Sequence, residues 1–521
     1  MSDGATTVGQ GIAAMARQAP DKPAMIFGDA VRSYGELDRR VNQIAHALQR
    51  AGIGPGDGVA VALFNSFEWF EVLNALGRLG ALLVPVSFRG KGPEIAYMLG
   101  DSAAKLLVVD PRLADEVDRA LAEQPLADDR VWVTGTGTPW RGVSFEQRIA
   151  SEPATPPDGA HPGGGYNVLI YTSGTTGRPK GILRAPLPPD RVAMQMIGVA
   201  QMWGFTADEV HLVPGPVYHT APGSQGQMHL SLGATIVIMP RFDAADFLRL
   251  VERHRVSNAQ MVPAMFFRIL ALPAEVQRRY DLSSLRKILH AAAPCPVAVK
   301  RRIMAVFPPG TVWEFYGASE GGGTRIGPDE WLQKPGSVGR PWPGLAVKVL
   351  DDDGSPCAPD QVGTIYLMLS PGATFSYSGA DEKTRAAFRD GFFTVGDMGY
   401  LDADGYLFIA DRKIDMIISG GANVYPAEVE QVLYKHPKVL DVAVIGVPDD
   451  EMGEAVKAIV ELRAGEHADA SELISFCRRD LAHYKCPKTI DFVAELPREP
   501  QGKVLKRALR ERYWAGRTTR V

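Results

Sequence analysis

VLIYTSGTTGRPKG, Val168 to Gly181, sets an apolar run directly before a loop rich in glycine and hydroxyl residues. The run Val168 to Tyr171 reads as a buried strand, being short, apolar and bounded by turn formers. Three glycines behind it, Gly174, Gly177 and Gly181, permit tight backbone turns. Thr172, Ser173, Thr175 and Thr176 place hydroxyl donors beside exposed backbone N–H groups, and such a loop can cradle phosphate oxygens. Lys180 adds a point positive charge. This is not the G-x-x-x-x-G-K-[ST] loop of nucleotide hydrolases, because Gly181 follows Lys180. A plain surface turn would not need so many donors and a lysine together.

Upstream, EPATPPDGAHPGGG (Glu152 to Gly165) reads as a surface connection into that strand. From about Pro20 to Val108, β-rich runs such as Val59 to Phe64 alternate with helical stretches such as Tyr34 to Ala51, which predicts α/β layers. Downstream, strand-like Ala234 to Met239 precedes Phe247, Leu250, Val251 and His254 at i, i+3, i+4, i+7 spacing. Asp246 stands where an N-cap is expected, and His254 reads as a packing residue at the edge of the stripe. DDDG at Asp351 and DADG at Asp402 lack the full calcium-loop spacing and read as turns. From about Asp415 onward, a strand at Val442 to Ile445 and a helix at Ser471 to Leu481 predict a small α+β domain.

Composition bounds the function classes. At 521 residues the chain is too long for one ordinary core. Hydrophobic residues make up 45% and charged residues 22%, which excludes a disordered or fibrous protein. A net charge of -4 provides no global basic field for nucleic acid or an anionic membrane. Cys295, Cys357, Cys477 and Cys486 never form a C-x-x-C pair, so metal-ligand spacing is absent, and a reduced cytoplasmic protein is expected. The N-terminus lacks a basic start and apolar block, and no window holds 18 consecutive apolar residues, so an unexported chain with no transmembrane segment is expected. No internal repeat is visible, and oligomeric state is not readable.

The Tyr171 to Gly181 string resembles the phosphate-binding signature of the adenylate-forming superfamily of acyl-CoA synthetases, nonribosomal adenylation domains and beetle luciferases. The resemblance continues in the family's order over almost the whole chain. PVYHTAP (Pro216 to Pro222) is similar to the segment entering the acyl pocket, which implies Tyr218 and His219 near the reacting carboxylate. HAAAPCP (His290 to Pro296) is similar to the adenine-contacting loop, with Ala291 and Ala292 where glycines are common, followed by Ala293 and Pro294. YGASE (Tyr316 to Glu320) matches the adenine and magnesium segment. There Tyr316 offers an aromatic face beside Gly317, Ser319 keeps the usual hydroxyl, and Glu320 is the implied Mg²⁺ ligand. In GDMGYLDADGYLFIADRK (Gly396 to Lys413), Asp397 matches the aspartate that accepts both ribose hydroxyls, and Arg412 the arginine on ribose or phosphate. SGGANVYPAEVE (Ser419 to Glu430) resembles the thioester-site loop, where Gly420 and Gly421 let backbone approach a pantetheine arm. In PREPQGKVLKRALR (Pro497 to Arg510), Lys503 stands where the family has its adenylation lysine. Losing such a charge contact typically costs about 10²- to 10³-fold in rate. Lys506 and Arg507 read as a solvated face.

The resemblance thus implies an α/β fold. A large N-terminal domain of layered subdomains, 1–412, would carry the ATP site and acyl pocket, and a small mobile α+β C-terminal domain, 413–521, the catalytic lysine. It implies ATP- and Mg²⁺-dependent conversion of a carboxylic acid to acyl-AMP, then thioesterification with coenzyme A. One departure stands out. The hinge, usually Asp or Lys, is Ile414, and a β-branched residue is stiffer; the thioester pose is therefore expected to be disfavoured, unless the swing tolerates it. A rival reading is accordingly an adenylase that passes acyl-AMP to a partner acyl-transferring enzyme or another acceptor. A non-catalytic nucleotide-binding protein predicts decay of Lys503, Glu320 or Asp397, and all three are present. With Lys503 near the end of this sequence, a fused carrier domain is not expected. Gly223, Ser224, Gly226, Ala291, Ala292 and Gly321 to Gly323 put small residues at the implied acyl pocket. A bulky apolar acid is therefore expected: long-chain, steroid-like or terpenoid.

Overall fold

The structure, a computed structural model, describes residues 11–160, 167–172, 180–185, 189–412, 414–420, 422–449, 451–499 and 503–515. The fold is mixed α/β, and its chain divides into two compact units. One comprises 1–260, 278–288 and 371–386, and the other 261–277, 289–370 and 387–521.

In the first unit, strands Gly58–Ala62, Leu82–Pro85, Leu106–Val109, Val131–Val133 and Val143–Ser144 form a parallel sheet. Every residue of Gly58–Ala62 is buried, as expected where helices cover both faces of a parallel sheet. The expected strand therefore ends two residues earlier than its apolar run. A second parallel group joins Pro23–Phe27 to Thr235–Ile238, and Val210–Val213 to both Thr235–Ile238 and Asn258–Met261. The helix Tyr34–Arg50 starts at Ser33, whose hydroxyl accepts from the Glu36 amide while the Glu36 carboxylate accepts from the Ser33 amide. The helix Ala244–His254 is capped by Asp243, not Asp246. The Asp243 carboxylate accepts from the Asp246 amide at 2.8 Å, so Asp246 sits at the third helical position. Within this unit His211 and His229 stack at 4.1 Å with planes 9° apart, both buried.

The second unit holds mainly antiparallel strands. Val312–Ala318 and Gly321–Ile326 form a hairpin continued by Ser337–Pro341, Leu407–Arg412 and Asp397–Leu401. Asp351 and Asp402 head turns, their carboxylates accepting from the Ser355 and Tyr406 amides. Toward the C-terminus, Val439–Asp449 pairs with Gly453–Leu462, which also carries Ile417–Ser419 and, in parallel, Thr489–Val493. Strand periodicity explains this small sheet's two cores. Val442 and Val444 join Val429, Leu433 and Leu473 on one face, while Ala443 and Ile445 join Leu509 on the other. Helices Pro426–Leu433 and Ala470–Asp480 cover the first face, and Lys506–Trp514 the second.

Among the described residues, no helix is long and apolar enough to cross a membrane.

Candidate active site

The apolar run before the glycine-rich loop becomes strand Ile170–Thr172, antiparallel to Lys180–Arg184, with Thr172 opposite Lys180. Strand Phe375–Tyr377 pairs with the other edge of Lys180–Arg184. The register fixes where the loop leaves and returns. Tyr171 anchors the first strand by donating to Asp101 Oδ2 at 2.6 Å. Ser173, Gly174, Thr175, Thr176 and Gly177 lie outside the described residues.

In the same unit, a buried asparagine organises the Pro216 to Pro222 segment. Asn65 Nδ2 donates to the carbonyls of Gly215 and Met239, both at 2.9 Å, and its Oδ1 accepts from the Val217 amide at 2.9 Å. His219 is the N-cap residue of helix Thr220–Leu232. Its ring lies 4.3 Å from that of Tyr218, which meets Phe88 edge-on at 5.1 Å; Phe88 stacks on Phe64 at 4.4 Å. Burial, and then the Arg89 charge, lower the His219 imidazole to about 4, so it is neutral near pH 7. Its Nε2 is buried with no hydrogen-bond partner among the described residues.

The small residues of this helix are filled from behind. A Cβ on Gly223 would lie 2.5 Å from the Val217 carbonyl oxygen and 2.9 Å from Trp69; one on Gly226 would lie 2.7 Å from Phe70. Glycine here admits aromatic rings of the protein itself. In the other unit, a Cβ on Gly321 would likewise lie 2.7 Å from Leu369.

The second unit gathers the nucleotide-side motifs. The hairpin Val312–Ala318/Gly321–Ile326 carries Tyr316, whose hydroxyl donates to Asp397 Oδ2 at 2.8 Å. Asp397 faces Arg412 across adjacent antiparallel strands, and their side chains pair at 3.3 Å. Burial, followed by the Asp397 charge, pushes the Tyr316 phenol well above its ordinary value and keeps it a donor; Glu320 adds to this field. The Glu320 carboxylate is buried. A Cβ on Gly317 would lie 2.8 Å from the Gly322 carbonyl oxygen, and Ser319 follows in the hairpin's tip.

Ala291, buried, opens the loop after strand Lys287–His290. Ala292, exposed, has φ +74°, a left-handed conformation that costs an L-residue free energy. The family's glycine would take it without strain, so the replacement changes energy more than shape. Ala293 and Pro294 complete the turn towards buried Cys295.

Lys503 belongs to this same unit. Burial, and then the Arg412 charge, lower its ammonium from the ordinary lysine value, while Glu499, Asp415 and Asp397 pull it back. The Lys503 ammonium thus lies within the electrostatic field of the Arg412 guanidinium. Ile414 is 42% exposed in the turn after Arg412. Gly420, at φ +57°, donates its amide to the Met452 carbonyl and leads the tight reversal between Ile417–Ser419 and Ala422–Val424; Gly421 lies outside the described residues. The solvated face expected at Lys506 is corrected. Lys506 is mostly buried and pairs with Glu430 at 2.8 Å and Asp411 at 3.7 Å. Arg507 is exposed and pairs with Glu511. Asn65 lies in no motif string and has no signal in the sequence, whereas Lys506 lies in the Lys503 string and is expected there as a solvated residue.

The family model for AMP-binding enzymes matches residues 12–376, and that for their C-terminal domain matches 428–503. The chain belongs to the AMP-binding enzyme family. This AMP-binding enzyme is 36% identical over 504 residues to the feruloyl-CoA synthase of an Amycolatopsis species, covering 96% of this chain and 97% of that one. It is 32% identical over 512 residues to the fatty acid–[acyl-carrier-protein] ligase ScoC of Streptomyces coeruleorubidus, at 97% and 96% coverage. The structure is similar to that of the amide bond synthetase McbA from Marinactinospora thermotolerans, with TM-score 0.84, 28% identity, and 97% and 100% coverage. The AMP-binding enzyme is therefore of the acyl-CoA synthetase-like, adenylate-forming kind, an AMP-forming acyl-CoA ligase. Such ligases take a small-molecule carboxylic acid, ATP with Mg²⁺, and coenzyme A.

Proposed function

We propose that Lys503, Arg412, Asp397 and Tyr316 form the adenylation centre of this ligase, and that its acid is bulky and apolar. A carboxylate oxygen of the acid attacks the α-phosphorus of ATP, the α–β P–O bond breaks, and pyrophosphate leaves. The CoA sulfur, having lost its proton, then attacks the acyl carbon and AMP departs. Activation is needed because a carboxylate is a poor electrophile.

The Tyr316–Asp397–Arg412 cluster, whose Arg412 charge also acts on the buried Lys503 ammonium, carries this reading. Two cations that feel each other's field repel, and an anionic α-phosphate between them would relieve that repulsion as charge develops. Asp397 Oδ1 and Oδ2 suit the two ribose hydroxyls, with Tyr316 and Arg412 orienting the carboxylate. Ala291 to Pro294 and Gly317 would border adenine. Thr172 to Gly177 and Lys180 would hold the phosphates. The buried Glu320 carboxylate in this field fits a hard oxygen-seeking cation; bound Mg²⁺ would neutralise charge on the leaving pyrophosphate. His219, kept neutral, would offer a hydrogen bond beside the acyl group from its buried Nε2. Gly420 and Gly421 would border the pantetheine arm. Residues 1–412 and 413–521 act as the two moving domains, with Ile414 as the hinge and the cytoplasm as the setting.

The aromatic series Phe64, Phe88 and Tyr218 supports an apolar acid, as do the feruloyl and fatty acyl groups named for the relatives. Gly223 and Gly226 give it no support, being filled by Trp69 and Phe70. A second reading, release of acyl-AMP to a carrier or amine, is favoured by Ile414 and by the acceptors in the names of ScoC and McbA. A panel of carboxylic acids, scored separately for pyrophosphate release and acyl-CoA formation, tests both. Strong preference for acetate refutes the bulky acid, and full CoA-dependent turnover by the purified protein refutes the second reading. Pyrophosphate release that survives Lys503→Ala undiminished refutes the assigned centre.

A further inference from the structure

Helix Lys506–Trp514 begins three residues after Lys503 and is tied down at two places in the same unit. At its first residue, Lys506 Nζ pairs with Glu430 Oε1 at 2.8 Å and with Asp411 Oδ2 at 3.7 Å. Burial alone would lower the Lys506 ammonium, and the Asp411, Glu430 and Asp415 carboxylates outweigh it. The same Asp411 oxygen accepts from the Ala427 amide at 3.1 Å, in the first turn of helix Pro426–Leu433. One turn further along, Arg510 pairs with Asp415 at 2.8 Å and donates to the Ile414 carbonyl at 3.1 Å. On the other side of Lys503, Glu499 donates its amide to the Lys503 carbonyl at 2.7 Å and Leu505 donates to that of Pro497 at 2.8 Å.

Asp411 precedes Arg412 on strand Leu407–Arg412, and Arg412 pairs with Asp397. One carboxylate therefore connects the strand bearing the Arg412–Asp397 pair to the helix that follows Lys503. Three residues span at most about 10 Å even when extended, so a fixed Lys506 limits how far Lys503 can stray. Ala427, Glu430 and Lys506 all follow Ile414, whereas Asp411 precedes it. The Asp411 contacts thus cross the turn about which the two half-reactions would alternate.

We propose that Asp411 and Lys506 are positioning residues that hold Lys503 at the adenylation centre, and that their contact is made for the first half-reaction and given up for the second. This rests on the adenylating role of Lys503 proposed above. A purely structural pair would affect both half-reactions alike.

The test separates the two half-reactions in Asp411→Asn, Lys506→Met and Lys506→Arg. Exchange of labelled pyrophosphate into ATP reads the first, and thioester formation from chemically supplied acyl-adenylate and CoA reads the second. Misplacing a catalytic group by about 1 Å costs about 10²-fold. The expected result is a fall in exchange kcat/KM of about 10-fold for Asp411→Asn and about 10²-fold for Lys506→Met. Lys506→Arg should restore it to within about threefold, with thioester formation within about threefold of wild type throughout. Asp411→Asn is isosteric and retains an acceptor for the Ala427 amide, so it serves if Lys506→Met fails to fold. Equal losses in both half-reactions, or no loss of exchange, overturn the proposal. Absence of exchange in the wild-type protein with every acid overturns the adenylation reading along with it.

Discussion

Gly223→Ala distinguishes a glycine that makes room for substrate from one that makes room for the protein. The added methyl would sit 2.5 Å from the Val217 carbonyl oxygen, about 0.9 Å inside the 3.4 Å at which ordinary contact begins, and 2.9 Å from the Trp69 ring. Neither neighbour is the loose end of a flexible side chain. Val217 is backbone pinned by Asn65, and Trp69 is 1% exposed on helix Phe67–Leu79. Overpacking of this kind costs about 1–3 kcal/mol, and alanine's better helix propensity returns up to about 1 kcal/mol. With the clash against backbone, a net loss of about 2 kcal/mol is expected, or about 3–4 °C in Tm for a unit of this size. Gly226→Ala, meeting buried Phe70 at 2.7 Å, should behave similarly. Thermal unfolding followed by circular dichroism, run beside the carboxylic-acid panel, reads both quantities. An unchanged Tm together with a shift from long to short acids would refute the packing account and return Gly223 to the acyl pocket wall.

Three further outcomes are expected. Tyr316→Phe removes the 2.8 Å donor to Asp397. A hydrogen bond to a charged group contributes about 1.5–3 kcal/mol, so the KM for ATP in pyrophosphate exchange should rise about tenfold or more; a change under about twofold would detach Tyr316 from nucleotide binding. His229 is held at about 4 by burial, against an ordinary 6.5. Its stabilisation is complete above pH 6.5 and is lost as pH falls towards 4, an effect of up to about 3 kcal/mol. His229→Phe should therefore flatten the fall in urea midpoint between pH 7 and pH 4.5, and an unaltered slope contradicts it. Ile414→Lys places a charge at an exposed turn at no burial cost. The ratio of acyl-CoA to pyrophosphate should rise several-fold with exchange unchanged, and a constant ratio removes Ile414 as an obstacle to the swing.

The layered α/β class was legible because its signal is local: buried runs such as Val59 to Ala62 and the stripe from Phe247 to His254 dictate their own elements. The helix Ser471 to Leu481 was legible to within one residue at each end. Capping was less so, since Asp243 and Asp246 are both suitable oxygens and only the first turn's geometry decides between them. The family showed where a residue type is scarce and its string long, as at Tyr171 to Gly181. Site chemistry did not show where the deciding fact is a distant neighbour. Asn65 lies about 150 residues from the segment it organises. Lys506 looks solvated until Glu430 and Asp411 are brought to it by other elements. Gly223 looks like empty volume until Trp69 occupies it. The left-handed backbone at Ala292 is equally unreadable from a string in which alanine is the best helix former.

Asn65 has a consequence in time. The segment holding Tyr218 and His219 is neither strand nor helix, yet the Gly215 carbonyl, the Val217 amide and the Met239 carbonyl all depend on one buried amide side chain. Breaking any of these contacts strands a polar group away from water, so all three must open together. The Val217 amide should accordingly exchange with deuterium as slowly as the neighbouring strand Val210–Val213, rather than at the pace of a loop. Side chains carried on such a segment, Tyr218 and His219 among them, keep their place over the lifetime of the strand beside them.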